Sequence, residues 1–393
     1  MITPAEALSI VLEKTPRLDA VRLPLVETLG CVLAEAVASD LDLPPFDKSA
    51  MDGYAVRADD VKATPVELDV VEDIPAGVAP TRTITPGTCA KIMTGAPVPE
   101  GADTVVMVED TEPAGEGRVR ILKTIGERRN ICLRGEDVRK NEEVIEAGRV
   151  VHPSDAGLLA SVGVEEALVT RRPRLATLAT GDELVDITDV PGPGQIRDAN
   201  SSILLTWCRR AGVAADALGV ARDNETDLRE KITAGLEHDM LVVSGGVSMG
   251  EWDLVPTIFA EAGVTVHFAT IAQKPGKPTL FATTDRGLVF GLPGNPVSTL
   301  VGFRLYVWPA IRKMMGHPDP APAPVEATLA GPTTVRGNRF TYVPAKLDGE
   351  SVRVIETKGS ADLVGFSKAD ALVPLEPGSY DAGISVDVLP LEM

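Results

Sequence analysis

A chain of 393 residues, 44% hydrophobic and 24% charged, exceeds the length at which a single core stops growing, so two to four domains are expected. Its net charge of −19 repels nucleic acid and anionic lipid in bulk, and no apolar run approaches the ~20 residues that cross a bilayer. Nucleic acid and membrane are therefore excluded as partners, and any anion the protein holds must meet a local cationic cluster. The N-terminal "MITPAEALSIVL" lacks a basic region and a small-residue cleavage site. Thr3 as N-cap, Pro4 at N1 and Glu6 at N3 instead make a capping box, a folded start rather than a signal peptide. After "PAEALSIVLEKT", roughly 100 residues rich in Val, Thr, Pro and Gly read as strands by propensity, before "HPSDAGLLASVG" turns helical. The reading is a discontinuous helical N-terminal domain, 1–43 and 141–171, with a β-rich domain, 44–140, inserted in it. Cys31, Cys89, Cys132 and Cys208 lie far apart without zinc-like spacing and read as reduced core thiols, and His152, His238, His267 and His317 are too scattered for a triad or metal site.

From Arg174 onward short apolar runs alternate with helical periods. The strand "RLATLAT" ends at Gly181, and the helix "SSILLTWCRRAG" is capped by Asn200 or Ser201 and stopped by Gly212. There follow the strand "VAADALGV", the helix "ETDLREKITAGL", the strand "MLVVS", the helix "LVPTIFAEAG", the strand "VTVHFAT" and a hairpin through "TDRG". "LVFGLPGNP" then leads into the helix "PVSTLVGFRLYVWPAIRKMM". Alternation at these lengths predicts a three-layer α/β domain over 172–316, with a mostly parallel sheet and ligands gathered beyond the carboxyl ends of its strands. "GHPDPAPAPVEATLAGP" reads as a stiff linker, and the rest of 317–393 as a small β-barrel or sandwich, the barrel being the reading adopted.

Chemistry is expected in the loops on the ligand side of that sheet. In "GGVSMGEWD", Gly245, Gly246 and Gly250 allow the backbone close to a ligand, while Glu251 and Trp252 break the Walker pattern. Asp253 reads either as a helix cap or as a carboxylate holding a divalent cation beside a phosphate. "GLPGNPVS" puts Pro296 at a helix N1 position with Asn295 as its cap, or is simply a tight connection. "QKPGKP" sets Lys274 and Lys277 among prolines that restrict the backbone and lower the entropy lost when an anion is gripped. Asp182, Glu183, Asp198 and Asp223 each read alone as cap or turn residues. Converging with the lysines at one sheet edge, they suit a Mg²⁺-assisted reaction at a phosphate. In the first half, "LPPFDKSAMDGYAV" carries Asp47, Ser49, Asp52 and Tyr54, and "KIMTGAPVPEGAD" carries Thr94 and Gly95 in a turn.

Eight strings run in order from about residue 43 to 298: "LPPFDKSAMDGYAV", "IMTGAPVPEGAD", "RGEDV", "TGDEL", "GQIRDANS", "VVSGGVSMGEWD", "QKPGKP" and "GLPGNPVS". Together they resemble the molybdopterin molybdotransferase family, which includes the C-terminal domain of gephyrin. The resemblance implies insertion of molybdenum into molybdopterin, from adenylylated molybdopterin and molybdate, with Mg²⁺ and release of AMP. It further implies a cytoplasmic, elongated homodimer of four-domain subunits, its active site formed by the α/β domain of one subunit and the "SAMDGYAV" domain of the other. By the same resemblance Asp52 and Thr94 are active-site residues, Glu183, Asp223 and Asp253 handle metal or substrate, and Lys274 and Lys277 bind the anion. Gly245, Gly246, Ser248, Pro293 and Asn295 fall in cofactor-binding loops, with Arg339 and Ser360 as further molybdate contacts. Lys48, Ala199 and Met249 depart from the usual family residues, and Lys48 alters the charge beside Asp47 and Asp52. The molybdopterin adenylyltransferase and acceptor molybdoenzymes are the partners implied. Alternatives are an adenylyltransferase, against which the long N-terminal half argues, a non-catalytic scaffold of the same fold, and a paralogue for tungstate.

Overall fold

The first turn forms as its sequence dictates: Thr3 Oγ1 accepts from the Glu6 amide at 3.2 Å and Glu6 Oε2 from the Thr3 amide at 2.8 Å, opening the helix Pro4–Lys14. The computed structural model describes residues 1–222, 224–246, 255–321 and 323–391. Its contacts divide the chain into two compact units, one of Met1–Leu23, Thr28–Ala34 and Leu168–Met393, the other of Pro24–Glu27 and Glu35–Ala167.

The smaller unit is built on a six-stranded sheet in the order Thr104–Met107, Gly53–Val56, Thr88–Ile92, Val66–Ile74, Arg118–Ile121, Thr111–Pro113. Alternating side chains feed two apolar clusters, one holding Ala55, Ile74, Ile92 and Val105, the other Leu68, Val106, Val119 and Ile121. At Gly53 the backbone runs so close to its neighbour that a Cβ would lie 1.9 Å from the Val106 carbonyl oxygen. The helix Pro153–Ser161 completes this unit, its first turn tied by the His152 amide donating to Asp155 Oδ2 at 2.8 Å.

In the larger unit the α/β sheet has the order Ala215–Ala221, Leu175–Thr180, Met240–Ser244, Leu288–Leu292, Leu280–Thr283, Thr265–Phe268, parallel across the first three pairings and antiparallel across the last two. "LATLAT", "MLVVS" and "LVFGL" are buried at every position, as strands covered on both faces are. The hairpin through Thr284 to Gly287 is present, with the Thr284 amide donating to the Gly287 carbonyl at 2.8 Å.

Three expectations are corrected here. The helix Asn200–Arg210 is not capped by Asn200 or Ser201: the Asp198 carboxylate accepts from the Ser201 amide at 3.0 Å and from its hydroxyl, because Ala199, at the N-cap position, has no oxygen to offer. The helix after Asn295 is not regular. It runs Pro296–Gly302 and Trp308–Met314 around a π turn, Phe303–Val307, because Pro309 has no N–H for the carbonyl four residues back. The proline-rich linker ends before Val325, where a strand, Val325–Leu329, begins.

That strand belongs to a closed five-stranded barrel: Phe340–Asp348, Ser351–Val354, Val325–Leu329, Ser385–Pro390 and Ala371–Leu375, which pairs back to the first. It encloses Ala345, Val352, Val373 and Val388. Gln273–Lys274 adds to it in parallel, Gln273 opposite Phe340 and Lys274 opposite Thr341. The α/β plus β class, with a β-rich first half and a C-terminal barrel, is thus the fold observed. Among the described residues no helix is long and apolar enough to cross a membrane.

Candidate functional site

The strand addition at Gln273 and Lys274 positions the cationic loop. Gly276 takes φ +87°, a conformation natural to glycine, and Thr279 Oγ1 donates back to the Gly276 carbonyl at 2.8 Å, closing a tight turn that presents Lys274 and Lys277. Both lysines line a cavity of about 350 Å³ together with Pro293, Asn295, Arg339 and Ser360. Six residues singled out in the sequence, from four separate segments, therefore share one wall-to-wall space. Asn295 sits at the N-cap of Pro296–Gly302 without capping it through its side chain. Its Nδ2 donates instead to Ser360 Oγ at 3.0 Å. Arg339 is anchored by Nη1, which donates to the Gln273 carbonyl at 3.0 Å. Among the described residues the lining carries three cationic side chains and no carboxylate, in a protein of net charge −19. Ammonium, guanidinium and hydroxyl donors converging on one concave space make a receptor for a small oxyanion.

Beyond the carboxyl ends of the parallel strands, Gly245 and Gly246 adopt φ +84° and +59°. A Cβ on Gly245 would lie 2.7 Å from the Thr180 carbonyl oxygen, and one on Gly246 2.5 Å from Thr180 Oγ1, so only glycine fits this path. The loop of Pro293 and Asn295 joins the same edge: the Gly245 amide donates to the Leu292 carbonyl at 3.0 Å and Asn200 Nδ2 to the Gly294 carbonyl at 2.8 Å. Sequence reasoning overlooked Thr180, Ser244 and Asn200. Thr180 Oγ1, Ser244 Oγ and Asn200 Oδ1 are buried there without a hydrogen-bond partner among the described residues, and buried polar atoms of this kind await a donor or acceptor. For Thr180 and Ser244 the advance signal was a polar residue placed directly before a glycine in "TGD" and "SGG", whereas Asn200 read only as a helix cap. Glu183 is exposed, its carboxylate folded over Gly181. Asp198 serves as the helix cap described above. Asp223, Ser248 and Asp253 lie outside the described residues, and among the described residues no group of three His, Cys, Asp or Glu side chains could hold a metal ion.

In the smaller unit, Asp52 precedes the strand Gly53–Val56 and Thr94 follows Thr88–Ile92, which pairs with it. Asp52 Oδ1 accepts from the Thr94 amide at 2.7 Å and from its hydroxyl at 2.8 Å. These two bonds, the backbone one foremost, hold the exposed Asp52 carboxyl below the usual range, so it stays ionised. Met51 and Met93, 41% and 43% exposed, flank the pair with apolar surface. Asp47 of the same loop accepts from the Arg134 amide at 2.7 Å.

A ligand-side sheet edge, a cationic cavity without a carboxylate among its described lining residues and a C-terminal barrel define an α/β-plus-barrel protein whose site suits an anionic ligand. Family comparison agrees with that class. "MoeA N-terminal region (domain I and II)" matches residues 2–163, "Probable molybdopterin binding domain" 176–313, and "MoeA C-terminal region (domain IV)" 326–391. The molybdopterin molybdenumtransferase of Staphylococcus epidermidis is 33% identical over 400 residues, covering 99% of this chain and 95% of its own. That of Staphylococcus aureus is 32% identical over 398 residues, covering 98% and 94%. The molybdopterin biosynthesis moeA protein of Pyrococcus horikoshii superposes with a TM-score of 0.82 in two structures, at 32% and 29% identity over 100% and 99% of this chain and 100% of each of theirs. The chain belongs to the MoeA family of molybdopterin molybdenumtransferases.

Proposed function

We propose that this chain transfers molybdenum from molybdate to adenylylated molybdopterin with release of AMP, in the cytoplasm and as a homodimer. The observation that carries the reading is the cavity with Lys274, Lys277 and Arg339 and, among the described residues, no carboxylate in its lining. A tetrahedral dianion matches it in charge, and the donors of Asn295 and Ser360 match its oxygens. The two lysines and Arg339 hold molybdate, while Gly245, Gly246 and Pro293 bring backbone close to the pterin phosphate, and Ser248, outside the described residues, is assigned to the same ligand by the family resemblance. Asp52 and Thr94 act in the active site as contributions from a second copy of the chain, and the subunit follows the four-domain division 1–43 with 141–171, 44–140, 172–316 and 317–393. Glu183, exposed and in no ion pair among the described residues, forms with Asp223 and Asp253 an all-oxygen donor set suited to Mg²⁺, which when bound would neutralise phosphate charge.

The test is AMP release from adenylylated molybdopterin, with and without molybdate, by the wild-type protein and by Lys274→Ala/Lys277→Ala. Loss of two cations from a water-exposed anion site weakens it by about 2–4 kcal/mol, or roughly 30- to 1,000-fold in affinity. Molybdate-dependent release that the double variant loses is the expected result. Turnover unaffected by the double substitution would remove the cavity from the reaction, and tight substrate binding without release would favour the scaffold reading.

A further inference from the structure

Behind the cationic loop lies a polar pair that the anion itself does not touch. Gln273 is fully buried, at 0% exposure, and Tyr306 is nearly so, at 1%. Every polar group of Gln273 is engaged. Its amide N–H donates to the Ile271 carbonyl at 2.8 Å, its carbonyl accepts from Arg339 Nη1 at 3.0 Å, and its Nε2 donates to the Pro275 carbonyl at 3.0 Å. Its Oε1 accepts a short bond from the Tyr306 hydroxyl, which the π turn Phe303–Val307 carries.

We infer that Gln273 and Tyr306 are positioning residues that fix the anion cavity from behind, Gln273 by bonding both the lysine loop and Arg339, Tyr306 by holding the Gln273 amide in place. The inference rests on the reading of that cavity as the molybdate site. The Pro275 carbonyl lies between the two lysines in sequence, and the next residue, Gly276, has no side chain to restrict it. Thr279 Oγ1 holds the Gly276 carbonyl and the Ile271 amide holds the Lys277 carbonyl at 2.9 Å, and the Gln273 bond to the Pro275 carbonyl fixes the remaining peptide between the two lysines. The Gln273 amide can hold that carbonyl only with its NH₂ turned toward it. A flipped amide would set Oε1 against the Pro275 oxygen, two acceptors face to face. In the orientation so fixed, the Tyr306 hydroxyl donates to Oε1 and holds the amide in place, and burial pushes the phenol's pKa up, so it keeps its proton. Arg339, also in the cavity lining, meets the same residue through the main chain. One buried residue thereby ties the lysine loop through its side chain and Arg339 through its main chain, and a preorganised spacing binds a rigid tetrahedral anion better than a mobile one.

A pair that merely satisfies itself in the core would look similar, so the test separates stability from positioning. Molybdate is titrated calorimetrically into the full-length wild-type protein, Tyr306→Phe, Gln273→Met and the double variant Gln273→Met/Tyr306→Phe, with thermal melts and hydrogen exchange over residues 271–280. Each single variant strands a polar partner in the core. The double variant removes both and restores the melting temperature. Positioning predicts that the double variant, although as stable as wild type, still binds molybdate roughly 2- to 10-fold more weakly, the equivalent of one net hydrogen bond. It also predicts faster exchange at the Gly276 and Lys277 amides. Wild-type affinity and exchange in the double variant would overturn the inference. Lys274→Ala/Lys277→Ala serves as the control: undiminished molybdate binding there would overturn the molybdate reading, while the exchange data would still decide whether the pair holds the loop.

Discussion

Substituting Gly53 by alanine tests whether close strand packing is what presents Asp52. Gly53 pairs with Ile92 on one side and Met107 on the other, and a Cβ there would stand 1.9 Å from the Val106 carbonyl oxygen and 2.8 Å from its carbon. Ordinary contact begins at 3.4 Å, so one strand must retreat by about 1.5 Å, the difference of the two distances. A ladder hydrogen bond of ~2.9 Å stretched by that amount is broken. Two such bonds at about 1 kcal/mol each, with an overpacking cost of about 1–3 kcal/mol, give a destabilisation of roughly 3–5 kcal/mol. All three tryptophans, Trp207, Trp252 and Trp308, belong to the other unit, so the loss has a distinct signature. In urea, far-UV circular dichroism should begin to fall at lower denaturant in Gly53→Ala, while the tryptophan fluorescence transition stays where it is in wild type. Molybdate-dependent AMP release should fall with it, since Asp52 is the preceding residue. A variant whose dichroism transition lies within about 0.5 kcal/mol of wild type, the range of a neutral surface change, would show that the strands yield without cost and refute the argument.

Two other perturbations probe charge. In Thr94→Val the Asp52 carboxylate keeps the Thr94 amide but loses the hydroxyl. Its pKa should rise toward the ordinary value, because a depressed carboxyl pKa reflects bonds made to the ionised form, and the stability they contribute is lost as pH falls through the folded-state pKa. The acid limb of AMP release should accordingly move to higher pH, and an unmoved limb would remove the Thr94 hydroxyl from Asp52's titration. Asp239, largely buried, accepts from Arg171 Nη1 and Nη2 at 2.7 and 2.8 Å and from the Arg174 amide at 2.7 Å, with the Arg171 bonds foremost in holding its carboxyl below the usual range. Asp239→Asn should cost about 2–3 kcal/mol near neutral pH, and the deficit should narrow as pH falls below about 4, where the unfolded chain's carboxylate takes up its proton before the folded one does. A deficit independent of pH in denaturant melts would assign the cost to geometry instead of charge.

What the sequence made legible follows from how local each signal is. The capping box at Thr3 and Glu6, the buried runs "MLVVS" and "LVFGL", and the turn at Thr284 to Gly287 are set within a few residues, and each appears as read. The cap of Asn200–Arg210 was misassigned because several residues in "RDANSS" can cap, and which of them does so depends on where the chain enters the helix. The π turn at Phe303–Val307 was missed because Pro309 looks tolerable from a hydrophobic period alone, and its missing N–H shows only when the carbonyl it should have satisfied is followed.

The cationic site divides along the same line. Lys274 and Lys277 were conspicuous because proline and glycine punctuate them at a strand end on the ligand side of a parallel sheet, a position where topology alone gathers ligands. Arg339 and Ser360 enter only through the family resemblance, since nothing near either residue marks it. What brings them to the lysines is the addition of Gln273–Lys274 to the edge of the C-terminal barrel, a pairing between segments far apart in sequence, together with the bond from Asn295 to Ser360. Long-range pairing of that kind leaves no periodic trace, because a two-residue strand is too short to show alternation. The residue that makes it, Gln273, read as an ordinary polar neighbour of two lysines. In the fold it is the fully buried one, and a buried glutamine with every hydrogen-bonding group engaged is the sort of feature that only the assembled core can reveal.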